Sequence, residues 1–404
     1  MNREKEINNR LKELPYKGFA ISLVIAAVVY FGLKALPRFE MNLFPNDLVV
    51  ANAPNSILYK FVWFIQDFTN AQFYSSVLAG LGMVLGGIIA YLLNKKKNKK
   101  GGFTIAYIMH LFPWILAAQL LGLAVSVFVP GYVHLLQTLE LGWVPTFIPF
   151  VSVPVIVIFV YGPSLRSLLT GSILSGLLST PIAVFIIKYI LTPLGLPAVA
   201  ANVFTMALVG IIVLETCRHL PWMVELKEDF FVNPGAYDTK YGEDAVDTYS
   251  NETNWFLRRV LSDFTEAQFY GNEWASGLML IGLIIHYVLD YRGVYYGNDF
   301  IPLLLSASIV GSAVGVFLYR DMWKKGFFAT FTPVVTIIPG VLLLVNGDIL
   351  LTFIAAVMGG IIAPPLANAI NRHIPKGWHP MIGNTLSMSI CTTLIAMFVI
   401  ALPF

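Results

Sequence analysis

Asp67-Phe68-Thr69-Asn70-Ala71-Gln72-Phe73-Tyr74 recurs as Asp263-Phe264-Thr265-Glu266-Ala267-Gln268-Phe269-Tyr270, each residue 196 positions further on. Both copies open a long apolar segment, and the likeness continues through Met83 and Met279, Gly86 and Gly282, Tyr91 and Tyr287. Two further matches follow. Thr146-Phe147-Ile148-Pro149 pairs with Thr330-Phe331-Thr332-Pro333, and Gly195 to Met206 pairs with Gly377 to Met388, aligning Asn202 with Asn384. The chain is therefore a duplication. A duplicated, strongly apolar chain folds as two pseudosymmetric halves of one bundle, an architecture common among membrane carriers.

The 404 residues are 57% hydrophobic and 12% charged, against about 25% charged in an average soluble domain. That leaves too little polar surface to cover a soluble globule. The apolar runs are continuous rather than alternating, which selects helices over a barrel. The class is an all-α polytopic membrane protein. A net charge of +3, distributed in local clusters, serves topology and does not suggest nucleic acid. Cys217 and Cys391 sit in or beside apolar runs and read as packing residues. The apolar run after the basic N-terminus is long for a signal sequence and reads as a retained helix.

Apolar length places a first helix at 18–36. Five spans follow near 73–94, 103–128, 146–162, 168–190 and 198–216, and five more near 272–290, 299–319, 327–346, 349–370 and 380–402. The expected organisation is a basic segment and first helix (1–49), membrane repeat 1 (50–216), an acidic polar linker (217–250) and membrane repeat 2 (251–404). The linker is expected to end in an interfacial helix from Trp255 to Leu261. Eleven spans with the N-terminus inside put all of the 26 Lys and Arg residues on the cytoplasmic side except Lys34, Arg38, Lys60, Lys188 and Arg292, as the positive-inside rule requires. An odd number of spans per repeat makes the second copy inverted. The rival, with the Pro-broken third segment of each repeat re-entrant, gives parallel copies and spreads the basic residues almost evenly.

The candidate functional residues lie where polarity or proline interrupts the apolar runs. Asp67, Thr69 and Gln72, with Asp263, Thr265 and Gln268, read as gate or coupling groups. The structural reading is a capping box, Thr69-x-x-Gln72 and Thr265-x-x-Gln268, followed by an aromatic belt at Phe73-Tyr74 and Phe269-Tyr270. Pro149, Pro181, Pro333 and Pro365 mark helix breaks, which carriers use to build midplane sites. The small residues around them, such as Gly176 and Gly360, allow close helix packing. Asn202 and Thr205, with Asn384 and Ser387, start the final span of each repeat. They could orient a polar solute or bond a neighbouring helix. Intramembrane ionisable groups are sparse and asymmetric (His110, Lys188, Glu215, His286, Asp290), which argues against a carboxylate proton relay. There is no P-loop, no metal-ligand pair at helical spacing and no Gly-x-Ser-x-Gly nucleophile. No catalytic residue, metal or cofactor is expected.

Gly359-Gly360-Ile361-Ile362-Ala363-Pro364-Pro365-Leu366 and Gly377-Trp378-His379-Pro380-Met381-Ile382-Gly383-Asn384 resemble a duplicated family of bacterial polytopic membrane proteins of unknown function. The resemblance implies a bacterial inner membrane and no particular activity. Together the features point to a permease that moves a small, neutral or zwitterionic solute by alternating access between the repeats. Its surroundings would be the lipid bilayer, with a protein partner or a second copy also compatible. The alternative is a scaffold subunit of an envelope-assembly or export complex. An intramembrane enzyme on lipid-linked substrates would need a convergent polar cluster that the ionisable residues do not supply.

Overall fold

The structure, a computed structural model, describes residues 15–45, 56–105, 109–139, 143–225, 252–323 and 328–402. Most of the acidic linker (226–251), the basic residues before position 15, and Lys324 and Lys325 lie outside the described residues.

Every regular element among the described residues is helical. A first helix, α1 (Tyr16–Ala35), precedes two matching sets. The first set is α2 (Ile57–Gln66), α3 (Val77–Lys95), α4 (Phe112–Phe128), α5 (Val153–Tyr161), α6 (Leu165–Ile186) and α7 (Ala198–His219). The second is α8 (Glu252–Ser262), α9 (Glu273–Leu289), α10 (Ile301–Leu318), α11 (Ile338–Leu344), α12 (Ile349–Asn371) and α13 (Met381–Ile400). Among the described residues eight helices are long and apolar enough to cross a bilayer; a ninth is added if the pair Thr253–Gln268 and Glu273–Leu289, bent by 82°, is one span. The chain is a polytopic helical membrane protein.

Local chemistry sets the helix starts. Ser76 caps α3 by accepting from the Ala79 N–H (3.1 Å), Asn272 caps α9, and Asp348 caps α12 through the Leu351 N–H (2.8 Å). Helices α4 and α10 carry proline in their first turn, where a missing N–H costs nothing. The third segments depart from the expected full-length spans at 146–162 and 327–346. Only Ile148–Tyr161 and Pro333–Leu344 are helical there. At 1.5 Å per residue each covers roughly 20 Å of a ~30 Å core. Pro149 lies in a 3₁₀ turn before α5, and Pro333 opens a π-helical turn before α11. The prolines remove donors, so regular α-helix begins only after them. Pro181 and Pro365 lie inside α6 and α12, which continue past them.

The register of contacts fixes relative directions. Between α4 and α6, Ser172 Oγ donates to Ala118 O (3.1 Å), Gly176 packs on Gly122, and Ser126 meets Thr180 (2.8 Å). Both numbers rise together, so the two helices are parallel and α5 runs back between them. The second set repeats this: Gly360 packs on Gly311, and Tyr319 Oη donates to Ile361 O just as Tyr132 Oη donates to Leu177 O. Between the sets the sense is opposite. Gly82 meets Leu278, Gly86 meets Trp274 and Gly282 meets Leu78, so the equivalent helices α3 and α9 cross antiparallel. The equivalent pair α7 and α13 does likewise, with Ala200 bonded to Ser389 and Gly210 near Ile382. Helix α1, without a counterpart, packs on the second set through Phe19 and Phe317 (4.8 Å) and through Gly18 against Phe256. Trp255 and Phe256 of α8 are buried, Phe256 against Gly18 of α1, while Asn254 on the same helix is exposed.

Candidate functional site

The repeated octapeptide forms a 3₁₀ turn that extends α2 (Asp67–Gln72) or α8 (Asp263–Gln268). Phe73 and Phe269 end the turns in the left-handed region (φ 64° and 63°). That conformation is unfavourable for a bulky residue. Paired backbone bonds hold it, from Tyr74 N to Thr69 O (3.1 Å) and from Tyr270 N to Thr265 O (3.0 Å). The expected capping box is therefore corrected: the caps are Ser76 and Asn272, several residues later. Thr69 and Thr265 instead accept through Oγ1 from the backbone N–H groups of those cap residues, Ser76 (3.3 Å) and Asn272 (3.5 Å). The aromatic belt is corrected too, because Tyr74 and Tyr270 are fully buried.

The glutamines of the motif meet each other. Gln72 Nε2 donates to Gln268 Oε1 (2.9 Å) and Phe264 O (2.7 Å), while Gln268 Nε2 donates to Gln72 Oε1 (2.8 Å) and Phe68 O (3.1 Å). Each amide does for the other repeat what the other does for it, so the pair marks the pseudo-two-fold axis. A buried carboxamide needs these partners. The pairing was invisible in sequence, where each glutamine has only local neighbours.

The aspartates sit at equivalent places in unlike surroundings. Asp67 accepts from Thr146 Oγ1 (2.5 Å) and Asn70 Nδ2 (2.6 Å), and Trp63 Nε1 donates to Thr146 Oγ1 (2.6 Å). Asp263 accepts from Thr330 Oγ1 (3.1 Å), Ser312 Oγ (2.7 Å) and Arg259 (3.0 Å). Arg259 stands where the first repeat has Trp63, and Glu266 where it has Asn70. Arg259 also donates to Glu266 (2.5 Å) and lies over the Trp323 ring (4.4 Å). The second repeat thus carries a buried ionic cluster at a place where the first has a tryptophan and an amide.

Beside the motif lies a cavity of about 80 Å³. Most of its wall comes in equivalent pairs: Ala71 and Ala267, Phe147 and Phe331, Val151 and Val335, Val199 and Met381, Asn202 and Asn384, Val203 and Thr385, Met206 and Met388. The cavity therefore straddles the pseudo-two-fold axis. The remaining wall (Glu266, Phe269, Thr336, His379 and Pro380) belongs to the second repeat alone and carries the cavity toward the loop before α13. That loop is pinned to the ends of α5 and α7. His379 stacks on Phe159 (5.2 Å), Trp378 Nε1 donates to Glu215 (2.6 Å), and Arg218 donates to Lys376 O (3.3 Å).

Of the residues expected to bind solute, Asn202 and Asn384 line the cavity. Asn202 is fully buried, and neither its Oδ1 nor its Nδ2 has a partner among the described residues. Asn384 is partly committed, because Asn371 Nδ2 donates to its Oδ1 (2.7 Å). Thr205 Oγ1 is buried and unpartnered beyond the wall, and Ser387 donates to Asn384 O (2.8 Å). Pro149, Pro181, Pro333 and Pro365 stay outside the wall, although the segments that Pro149 and Pro333 open supply it. Asp67, Thr69, Gln72, Asp263, Thr265 and Gln268 are not in the wall, whereas Ala71, Ala267 and Glu266 of the same turns line it. Phe269, read from sequence as an aromatic-belt residue, instead lines the cavity, and His379 is a wall residue with no role expected from sequence, although it lies in the stretch from Gly377 to Asn384.

Among the described residues no cluster of His, Cys, Asp and Glu is arranged to hold a metal. No family model, curated protein or solved structure matches the chain, so its functional reading rests on this geometry.

Proposed function

We propose that the chain is a permease built from two inverted repeats, moving a small uncharged solute through the cavity on its pseudo-two-fold axis. The observation that carries this reading is the composition of the cavity wall, seven pairs of equivalent residues from the two halves. A site on a symmetry axis can be presented to either side by exchanging the conformations of the halves. In this conformation the cavity runs toward the His379 loop. Exchange would close that route and open the equivalent one, past Pro197 and Ala198.

Inversion is supported by two antiparallel crossings of equivalent helices, which place the axis across the helices and hence in the membrane plane. The parallel pairs α4 with α6 and α10 with α12 support an odd number of passes per repeat. Contacts also join segments that the basic-residue pattern assigns to one side. Lys100 O accepts from Trp274 Nε1 (2.7 Å) on the cytoplasmic side, and Arg38 pairs with Asp299 on the other. The reading puts the N-terminus inside, in a bacterial cytoplasmic membrane, and gives no residue a catalytic role.

The test is flux in proteoliposomes across a panel of labelled small solutes, charged and uncharged. The expected result is faster entry of one or more uncharged solutes than into empty vesicles, lost in Asn202→Leu protein that keeps its melting temperature. Entry no faster than the empty-vesicle leak for the whole panel would overturn the reading.

A further inference from the structure

Helix α3 carries its exposed apolar residues in one stripe. Leu81, Leu85, Ile88 and Leu92 are exposed and fall on one face at helical spacing, beside the Gly82 and Gly86 face that packs on α9. On α9 the exposed residues Trp274, Ile281 and Ile285 form the matching stripe. A two-fold that exchanges antiparallel helices lies normal to their common plane. Both stripes therefore look the same way and make one apolar surface, which in a bilayer meets acyl chains.

A basic turn ends this surface. Lys95 and Lys96, three and four residues past Leu92, continue the α3 stripe, and Lys97 and Lys100 follow in the turn. All four lysines are exposed, and none pairs with a carboxylate among the described residues. Glu273, beside the turn, is engaged by Arg258 (2.5 Å) and the Phe103 N–H (2.6 Å). The turn is also fixed. Lys97 takes the left-handed conformation (φ 54°) that usually falls to glycine at a helix end, with Asn98 N bonded to Leu93 O (2.9 Å). From α9, Trp274 Nε1 donates to Lys100 O (2.7 Å) and Asn272 Nδ2 to Gly101 O (2.9 Å). Membrane topology asks only that such charges be present; here they are held together at the edge of an apolar face. At the other end of the crossing the equivalent positions are Tyr291, Arg292, Gly293 and Tyr296, and Arg292 pairs with Glu40 (3.1 Å). The fold therefore does not require the lysines.

We infer that this surface binds an anionic phospholipid, its phosphate against Lys95, Lys96, Lys97 and Lys100 and its acyl chains along the α3 and α9 stripes. Uncompensated ammonium groups attract the phosphate. The Trp274 indole sits where headgroup and chains join, as aromatic residues do at membrane interfaces. A zwitterionic lipid carries its own cation, which the lysines repel. A soluble phosphate, an acidic protein segment or a nucleic acid would leave the apolar stripes uncovered. The claim does not depend on what crosses the central cavity.

The experiment is a titration of the delipidated full-length protein in detergent, read by native mass spectrometry, with dioleoyl-phosphatidylglycerol and dioleoyl-phosphatidylcholine. The first phosphatidylglycerol should bind at least about tenfold more tightly than the first phosphatidylcholine, since each basic residue near an anionic headgroup is worth about fivefold. Combining Lys95→Gln, Lys96→Gln, Lys97→Gln and Lys100→Gln should remove that preference and leave phosphatidylcholine binding unchanged. The pair Arg372→Gln and Lys376→Gln, exposed cations elsewhere, should leave it intact. Glycerol 3-phosphate, which has the charge without the chains, should not displace the lipid at equal concentration. Equal binding of the two lipids would overturn the inference without any variant having to fold. So would a preference that survives the four substitutions, an equal loss in the Arg372 and Lys376 pair, or displacement by glycerol 3-phosphate.

Discussion

Replacing Arg259 with Met should destabilise the protein by about 3–5 kcal/mol, the range for removing one partner of a buried ion pair. Arg259 is 4% exposed, Asp263 is fully buried and Glu266 is 6% exposed. Without the guanidinium, two carboxylates share a largely buried site, and the loss of the contact with Trp323 adds to the cost. The same position in the first repeat is Trp63, and the position of Glu266 is Asn70. The fold therefore tolerates a version of this cluster with neither the cation nor the second carboxylate. Arg259→Met with Glu266→Gln should accordingly recover a large part of the loss, an apparent gain from a second substitution. Melting temperatures of the purified single and double variants measure it. A double variant less stable than Arg259→Met alone would show that the cluster is not held together by charge.

The crossing of α3 and α9 gives the second large effect. A methyl group at Gly82, Gly86 or Gly282 would overlap the carbonyl of Leu278, Trp274 or Leu78 in the opposing helix. Backbone cannot swing aside as a side chain does, so each glycine-to-alanine change must push the two helices apart. Overpacking of this kind costs about 1–3 kcal/mol, sometimes more, and close backbone approach is the main source of helix association in lipid. Gly277 lies on the same helix α9 with nothing within 4 Å of its added Cβ. There the same change should be neutral or stabilising by up to about 1 kcal/mol through helix propensity. Opposite signs for Gly282→Ala and Gly277→Ala in thermal unfolding are the expected result. Equal, small effects at both would mean the helices are not in contact at this register.

The duplicated octapeptide announced two halves because identical residues at a constant spacing need no structural knowledge to see. Continuous apolar runs gave the helices for the same reason, since length against bilayer thickness is read directly. Proline placed the irregular third segments, and the Asn202–Asn384 alignment pointed to the wall of the cavity. What sequence could not supply was long-range partnership. Thr69-x-x-Gln72 fits the local grammar of a helix cap, and nothing in the chain says that Gln72 has a better partner in Gln268. Likewise the α8 stretch reads as a short amphipathic helix, and nothing in the chain says that Phe256 will pack on Gly18 of α1. The unequal state of Asn202 and Asn384 depends on Asn371, thirteen residues before Asn384, which has no equivalent in the first repeat.

Inversion of the repeats is the claim on which the cavity, its axis and the exchange mechanism all depend. Single cysteines at Lys97 and Arg292 test it, since these exposed residues follow the equivalent helices α3 and α9. Cys217 and Cys391 are both fully buried and leave a low background. With a membrane-impermeant maleimide on intact cells and on inverted vesicles, Lys97→Cys should react only from the cytoplasmic face and Arg292→Cys only from the opposite one. Labelling of both from the same face would contradict the account.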